Sequence, residues 1–394
     1  MNKNKIIIWG KDNYNTLGLL RQLSGDERDV FFLLWDKPVG CASASRWFGK
    51  HIVVKSIDEG YQYLMNNFVE EKNKPVIFTP SDEIIEFVDQ HKTELEKHFI
   101  VPGTREQGLL TKIDDKNTMT DLACRLGFLV PKSQICRKNS KIKNIDYPCI
   151  IKPAHTTAGH RNEFKFKVCQ NEKELVSALK FVRDDSEFIL QQYIPKESVA
   201  LVYGARLREG AVITAGTLVK DRFIACGDGS HGLLMGSYPV GIDLLKVESF
   251  LSEIGYYGLF SFEYGIYKGK AYFFEVNLRN DGTSHYFFQA GANIPIAWYY
   301  DAIGIEINQK NTKVTGEHWF IDEIFDIANV WGGTLSRWQW KADMEKATIF
   351  KYYDKDDQEP WKQMKRGKVR KIIQDAIVKK YRLYIVWLMD IFKH

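Results

Sequence analysis

Strands and helices alternate over the first hundred residues, and this pattern restricts the possible folds more than any other feature of the chain. The predicted strands are residues 5–9, 30–35, 51–54 and 76–79, and the predicted helices are residues 16–23, 57–68 and 82 to at least 91. Because strands that alternate with helices form parallel sheets covered by helices, we predict a parallel α/β layer here. The first turn, residues 10–15, lacks the Gly-x-Gly-x-x-Gly pattern, and no Gly-Lys pair precedes Ser or Thr. We therefore predict neither a dinucleotide site nor a P-loop.

The length and composition of the chain favour a cytoplasmic protein with several folding units. At 394 residues the chain is long enough for two or three domains, and its 44% of hydrophobic residues can form a core. No apolar run approaches the roughly 20 residues that cross a bilayer, and residues 6–9 are too short for a secretory signal. The six cysteines form no Cys-x-x-Cys pair, so we predict reduced thiols rather than a zinc site.

Positive charge is concentrated at the C-terminal end. Residues 361–394 contain ten Lys or Arg and two acidic residues, whereas the whole chain has a net charge of only +5. The rest of the chain is therefore net acidic, which argues against a nucleic acid partner. Residues 369–392 have apolar side chains at helical spacing, with Lys371 and Lys379 on the polar face. Such a helix either docks on the protein or lies in a membrane interface, and the basic excess favours the membrane.

From residue 115 onward, helices and strands follow one another without a repeated unit. The predicted helices are residues 115–126, 172–182 and 244–254, and the predicted strands are residues 150–153, 164–168, 188–194, 199–207, 212–219, 258–266 and 271–276. Residues 227–236 are rich in glycine, so they form either a lid over a substrate or a plain connection between strands. Beyond about residue 309 the pattern weakens and predicts no further strand.

Polar side chains in the hairpin of residues 258–276 carry the strongest chemical signal. Glu263 lies within the first strand, and Glu275, Asn277 and Arg279 lie at the end of the second. Because residues two apart in a strand face the same way, the latter three form one polar row, and the hairpin brings Glu263 beside Glu275. Two carboxylates and an amide oxygen suit Mg²⁺ that carries nucleotide phosphates, and the arginine can neutralise a transferring phosphoryl group. Solvent-facing strand acids are the alternative, but they leave Asn277 and Arg279 unexplained.

This hairpin resembles the metal site of the ATP-grasp superfamily, in which a strand glutamate precedes a Glu-x-Asn-x-Arg sequence on the next strand. Further similar segments occur in the family's order: Ser81-Asp82-Glu83, Asp115-Lys116-Asn117, Ile150-Ile151-Lys152-Pro153 and Leu190-Gln191-Gln192-Tyr193-Ile194-Pro195. The resemblance implies an α/β protein with a Rossmann-like N-terminal domain, followed by an ATP-grasp fold of two α+β subdomains that clasp ATP. The implied domains are residues 1–114, 115–308 with a small lid subdomain at 131–195, and a C-terminal extension at 309–394.

The resemblance also implies roles for individual residues. Mg²⁺, or Mn²⁺ in its place, would bind Glu263, Glu275 and Asn277. The implied catalytic residues are Arg279 and Lys220, with Lys220 favoured over Arg222 as the residue that holds the acyl phosphate or the substrate carboxylate. The implied ATP contacts are Lys116 and Lys152 at the phosphates, Gln191, Gln192, Tyr193 and Ile194 at adenine, and Glu197 at the ribose.

The chain departs from the family at the loop that contacts the phosphates. Relatives carry several glycines there, whereas residues 154–160 contain only Gly159. Either the loop is stiffer than in relatives, or side chains such as His155 and His160 replace the backbone contacts. Gln191 also stands where many relatives have an acidic residue.

The implied activity is that of an ATP-dependent ligase that joins a small-molecule carboxylate to an amine or a thiol through an acyl phosphate. Among relatives the chain is most similar to stand-alone amino-acid ligases of the D-aspartate ligase type. A membrane-associated tail would suit cell-envelope or polysaccharide biosynthesis at the inner membrane face. Two alternatives remain open: an ATP-grasp kinase that phosphorylates a small molecule, and a nucleotide-binding protein without turnover. The intact metal-binding row argues against the latter.

Overall fold

The computed structural model of the protein describes residues 4–25, 28–138, 146–153, 166–182, 187–224, 227–367, 369, 371, 374, 375 and 378. The strands of these residues form three sheets, one of them parallel and two of them largely antiparallel. The domain boundaries at residues 114 and 308 remain predictions.

A parallel sheet with helices forms the N-terminal layer, as predicted. Its elements are β1 (Ile6–Gly10), α1 (Tyr14–Leu23), β2 (Val30–Trp35), β3 (Lys50–Val54), α2 (Ile57–Asn67), β4 (Val76–Phe78), α3 (Asp82–Gln90) and α4 (Lys92–His98). The strand order is β3-β2-β1-β4, and every residue of β1 is buried. β1 pairs with β2 on one side and with β4 on the other, so the order of the strands reverses at β1. In parallel sheets, ligands commonly bind at the carboxyl ends of the strands at such a point. Asn13 caps α1 there by accepting the N–H groups of Asn15 and Thr16.

A small antiparallel sheet follows the N-terminal layer. The elements of this region are α5 (Leu109–Asp114), α6 (Lys116–Arg125), β5 (Ser133–Arg137), β6 (Cys149–Pro153), β7 (Lys167–Cys169), α7 (Glu172–Leu179) and β8 (Glu187–Gln192). In the order β5-β8-β6-β7, Gln191 on β8 pairs with Ile150 on β6, which places it near Lys152. Leu175 of α7 packs on the buried Cys149 and Cys169 of this sheet. The five described cysteines are free thiols.

The largest sheet has seven strands and carries the hairpin with the polar row at one edge. Its region contains β9 (Ser198–Arg206), β10 (Val212–Phe223), β11 (Gly229–Met235), α8 (Leu244–Glu253), β12 (Gly258–Tyr267), β13 (Lys270–Asn277), α9 (Ser284–Gln289), α10 (Ile294–Ala302), a 3-10 turn (Gln309–Asn311), β14 (Glu317–Ile321), α11 (Ile327–Trp331), α12 (Arg337–Lys346) and β15 (Ile349–Phe350). The order is β13-β12-β9-β10-β11-β14-β15. Successive residues of β9 pack into two different hydrophobic cores, because side chains alternate between the faces of a strand. Tyr203 lies in the core that contains residues of α1 and α10, and Val202 lies in the core that contains residues of α6 and α8.

The glycine-rich segment is a strand, so both interpretations of it, a lid and a plain connection between strands, are wrong. Gly229–Met235 forms β11 in the interior of the large sheet, between β10 and β14. At Gly232, a Cβ atom would lie 2.4 Å from the carbonyl oxygen of Val219 on β10. Glycine therefore permits close approach of two strands here rather than flexibility. β10 also continues to Phe223, past its predicted end at residue 219.

β14 and β15 extend the same sheet beyond residue 309, where the sequence predicts no strand. β14 pairs with β11, and β15 pairs with β14. Residues 359–367 are helical, whereas the predicted basic helix of residues 369–392 lies largely outside the described residues. Among the residues that the structure describes, no helix is both long and apolar enough to span a bilayer.

Candidate active site

The hairpin of β12 and β13 assembles the predicted metal-binding row. Glu263 on β12 lies directly opposite Glu275 on β13, and Ser261 lies opposite Asn277. A β-bulge follows, because Tyr264 pairs with Phe273 and leaves Phe274 unpaired. Like charges directly opposite each other in a sheet repel. The two glutamates are therefore unfavourable neighbours unless cations compensate them.

Lys220 on β10 supplies one of these cations. Its ammonium donates a hydrogen bond to Glu263 Oε2 over 2.9 Å. Burial disfavours the charged lysine, but Glu263 and Asp281 outweigh burial and raise the pKa of Lys220. Burial, and then the negative charge of Glu263, raise the pKa of the Glu275 carboxyl. One lysine thus faces two carboxylates, and among the residues that the structure describes Glu275 has no hydrogen-bond or ion-pair partner.

Arg279 connects the polar row to the N-terminal layer. It donates hydrogen bonds to the Asp82 carboxylate in the first turn of α3 and to Asn277 Oδ1 over 3.2 Å. Burial opposes its charge, but Asp82 outweighs burial, so the pKa of Arg279 is raised. The arginine stays charged, and the Ser81-Asp82-Glu83 motif thereby acquires a structural role beside the site.

Asp281 is a buried acid beside this row that was not predicted as a site residue from the sequence. Its Oδ2 accepts a hydrogen bond from Ser261 Oγ over 2.9 Å, and its Oδ1 accepts from Thr283 N–H over 2.8 Å. Burial by itself would raise its pKa, but Lys220 and Arg279 lower it instead. The ionised Asp281 therefore balances these two cations. Its place in the run of polar residues directly after Arg279 was the available sequence signal.

The donor set of the row fits a magnesium ion. Glu263, Glu275 and Asn277 offer carboxylate and amide oxygens on one hairpin, and Mg²⁺ prefers oxygen ligands. Burial and neighbouring charges, not hydrogen bonds, shift the pKa of Glu275, so its carboxylate oxygens are available to a cation. In the described part of the chain, no group of three or more His, Cys, Asp or Glu side chains is arranged so that it could hold a metal ion by itself. Asn277 and ligand oxygens would therefore have to complete the coordination.

We expect the affinity for Mg²⁺ to fall as the pH is lowered. The fall should begin at a higher pH than it would at a site whose glutamate has an ordinary pKa. The raised pKa keeps Glu275 protonated at higher pH, and only the carboxylate binds the ion. The affinity should therefore rise with pH and level off above that pKa. Calorimetric titration of Mg²⁺ in buffers of different ionisation enthalpy measures both the affinity and the protons released. Proton release that persists unchanged in Glu275→Gln would contradict the assignment.

One cavity, of about 470 Å³, lies between this row and the small sheet. It is lined by Lys116, Lys152 and Gln191 together with Glu275, Asn277, Arg279 and other residues of both sheets. Lys152 Nζ donates a hydrogen bond to Gln191 Oε1 over 3.1 Å. Burial, and then the positive charge of Lys116, lower the pKa of Lys152. Two lysines thus converge on a cavity that also borders the metal-binding row, as a phosphate site requires.

The other predicted nucleotide contacts do not line this cavity. Gln192 and Tyr193 donate their backbone N–H groups to backbone carbonyl oxygens. The carbonyl oxygen of Ile194 accepts the N–H group of Lys196. Glu197 is exposed, and its side chain accepts the N–H of Lys268 over 3.2 Å. The roles of these four residues at adenine and ribose remain predictions. The phosphate loop, with His155, Thr156 and His160, lies outside the described residues.

A second cavity, of about 420 Å³, shares Glu275, Asn277 and Arg279 with the first. The rest of its lining includes Lys11, Tyr14 and Glu83 from the N-terminal layer, Lys220 and Glu263 from the large sheet, and Lys351 after β15. The sequence did not predict Lys11, Tyr14 or Lys351 as site residues, because none of them belongs to a motif. Since the polar row borders both cavities, groups bound in the two can meet there.

Arg222, the alternative to Lys220, is engaged elsewhere. Its guanidinium donates two hydrogen bonds to Asp326, over 2.9 and 2.8 Å, and one to Asp343 over 2.8 Å. These contacts tie β10 to α11 and α12. Lys220 lines the second cavity and Arg222 lines neither, which favours Lys220 for the predicted catalytic role.

Comparison with known proteins finds distant relatives. No family model matches the sequence. The chain is 21% identical over 247 residues to D-aspartate ligase from Enterococcus faecium, a match that covers 58% of each chain. It is 24% identical over 225 residues to the formate-dependent phosphoribosylglycinamide formyltransferase of Bacillus subtilis, which covers 54% of this chain and 56% of the relative. The chain thus spans little more than half the length of these curated relatives.

Solved structures resemble a larger part of the chain. An N5-carboxyaminoimidazole synthetase from Staphylococcus aureus, complexed with ADP, has a TM-score of 0.64 at 14% identity and covers 88% of both chains. An L-amino acid ligase from Bacillus licheniformis has a TM-score of 0.59 at 14% identity, with 81% of this chain and 80% of that chain covered. The chain therefore has an ATP-grasp fold preceded by a parallel α/β layer, which confirms the predicted fold class.

Proposed function

We propose that the protein is an ATP-dependent ligase that joins a small-molecule carboxylate to an amine. The observation that carries the proposal is the row of Glu263, Glu275, Asn277 and Arg279, which borders both cavities through its last three members. D-aspartate ligase and an L-amino acid ligase among the similar proteins support it. Similar structures that hold ADP or MgADP support ATP and Mg²⁺ as the cofactors.

The proposed chemistry has two steps. A carboxylate oxygen of the substrate attacks the γ-phosphorus of ATP, the bond to ADP breaks, and an acyl phosphate forms. The amine nitrogen then attacks the acyl carbon, phosphate leaves, the nitrogen loses a proton, and an amide remains. Mg²⁺ on Glu263, Glu275 and Asn277 would supply charge neutralisation for the phosphates. Lys220 and Arg279 would stabilise negative charge on the transferring group, and no covalent protein nucleophile is needed.

The test is a screen of amino acids and other carboxylates, with and without amines, for ADP release, followed by mass spectrometry of the products. An amide together with ADP and phosphate supports the ligase. A stable phosphorylated product that forms equally without amine identifies a kinase instead. ADP binding without turnover on any pair of substrates would identify a nucleotide-binding protein.

We expect Lys152→Ala to weaken ADP binding by about ten- to a hundredfold, and Lys116→Ala to weaken it less. A hydrogen bond to a charged group contributes roughly 1.5–3 kcal/mol, and Lys152 is held by Gln191, whereas Lys116 is exposed at the start of α6. Calorimetric titration with Mg²⁺ and ADP measures both losses. Lys112→Ala, a change at an exposed lysine of α5, is the matched control. Reversed losses would show that the two lysines have the opposite roles, and equal losses would show that the distinction between them is wrong.

We further propose that residues 361–394 bring the protein to an anionic membrane surface at the cytoplasmic face. Their excess of Lys and Arg supports this, since each basic residue near such a surface contributes about 1 kcal/mol. Sedimentation with anionic liposomes should carry down the full chain and spare a chain that ends at Pro360, which lacks all ten basic residues of the tail. If both chains stay in the supernatant at low salt, the membrane proposal is wrong.

A further inference from the structure

A lysine from the C-terminal part of the chain reaches the second cavity. Lys351 directly follows β15 and lines this cavity together with Tyr14 and Lys220. Its side chain is only 5% exposed, and its Nζ lies 4.3 Å from the centroid of the Tyr14 ring. Burying a charge is costly unless it has partners, so this position calls for an explanation.

Two successive acids hold Lys351 in place. Its Nζ donates a hydrogen bond to Asp322 Oδ2 over 2.9 Å, and Asp322 is fully buried outside the cavity lining. Glu323 accepts the backbone N–H groups of Lys351, Tyr352 and Tyr353 over 2.9, 3.0 and 2.8 Å. The turn after β14 therefore holds both the ammonium of Lys351 and the backbone of residues 351–353.

The other end of the segment of residues 351–357 is bonded to the N-terminal layer. Asp357 accepts hydrogen bonds from Arg21 Nε over 2.9 Å, from Ser45 Oγ over 2.7 Å and from Arg46 N–H over 2.9 Å. Arg21 also donates to the carbonyl oxygen of Tyr352 over 2.9 Å. Because the segment is held at both ends, Lys351 loses little conformational freedom when a ligand binds.

A purely structural ion pair is the alternative explanation for Lys351. Buried ion pairs are often replaceable by apolar residues without loss of stability, so stability alone gives little reason for a lysine at the cavity wall. An ammonium has three N–H donors, and Asp322 accepts one of them. No second acceptor for this ammonium occurs in the part of the chain that the structure describes, so its remaining donor capacity is available to a ligand in the cavity.

We propose that Lys351 binds an anionic group, a carboxylate or a phosphate, of the substrate in the second cavity. The proposed ligase function enters only in the assumption that this cavity holds the carboxylate substrate. Lys220 is bonded to Glu263 of the metal-binding row, whereas Lys351 is bonded to Asp322 after β14, so Lys351 adds a cation to this cavity apart from that row. A carboxylic acid with a second carboxylate or a phosphate group would contact both.

The test compares the binding of two anionic probes to the full chain loaded with Mg²⁺ and ADP. Inorganic phosphate and succinate are titrated separately by calorimetry at millimolar concentrations. The variants are Asp322→Asn and the double variant Lys351→Met with Asp322→Asn, which removes both charges and so leaves no unpaired buried ion. Asparagine keeps the Oδ1 atom that accepts the N–H groups of Ile324 and Phe325. Thermal unfolding shows whether each variant is folded.

We expect the double variant to lose about tenfold or more of the affinity for at least one probe, and Asp322→Asn to retain it. Loss of phosphate binding alone indicates a phosphate group, and loss of succinate binding alone indicates a carboxylate. Equal losses in the two folded variants, unchanged binding in both, or no binding of either probe to the wild-type chain would overturn the proposal. ADP affinity should be the same throughout, because Lys351 does not line the cavity with Lys116 and Lys152. A wild-type chain that fails to bind ADP would contradict the proposed function instead.

Discussion

Glu275→Gln should reduce ADP formation by about a hundredfold or more while the chain remains folded. Glu275 is a buried carboxylate beside Glu263, and its charge is the one that a bound Mg²⁺ would compensate. Removing one charged metal ligand costs about 3 kcal/mol or more of transition-state stabilisation. The fold should persist, because glutamine has nearly the same shape and removes the repulsion between two facing carboxylates.

The measurement is the rate of ADP formation at saturating Mg²⁺ with the substrates found in the screen. Glu248→Gln is the matched control, since Glu248 is an exposed acid on α8, away from both cavities. Thermal unfolding of both variants separates loss of function from loss of structure. An unaffected rate in a folded Glu275→Gln chain would remove the metal-binding row from the mechanism.

Lys220→Met should also lower the rate of ADP formation by about a hundredfold, but without weakening Mg²⁺ binding. Lys220 Nζ lies 2.9 Å from Glu263 Oε2, so it competes with a cation for that carboxylate. It also faces the second cavity, where it can stabilise charge on the transferring phosphoryl group, and loss of one such donor typically costs 10²–10³ in rate, or about 3–4 kcal/mol. The rate of ADP formation should therefore fall, while the affinity for Mg²⁺ stays the same or rises.

Calorimetric titration of Mg²⁺, alongside the rate of ADP formation, tests this separation. Lys270→Met serves as the control, because Lys270 is an exposed lysine at the far end of the same hairpin. If Lys220→Met weakens Mg²⁺ binding as strongly as it slows turnover, the lysine supports the metal site rather than the phosphoryl group. Full activity in this variant would exclude Lys220 from the reaction.

The sequence determined the parallel layer and the polar row, because both follow from periods of a few residues. Apolar runs separated by helical spacing predicted β1 to β4 and α1 to α3 to within a few residues. The two-residue period of a strand put Glu275, Asn277 and Arg279 on one side, and a short turn aligned Glu263 with Glu275. Each of these relations joins residues that are close in the chain.

Only the tertiary structure decided which other residues share the site. Lys351 reaches the second cavity because Asp322 and Glu323 hold it, and Arg21 holds the same segment through Asp357, 336 positions away. Glycines in residues 227–236 predicted a lid or a plain connection rather than a strand, since the close approach to β10 is visible only once the strands are paired. Such contacts depend on how distant segments pack, and local periodicity carries no information about them.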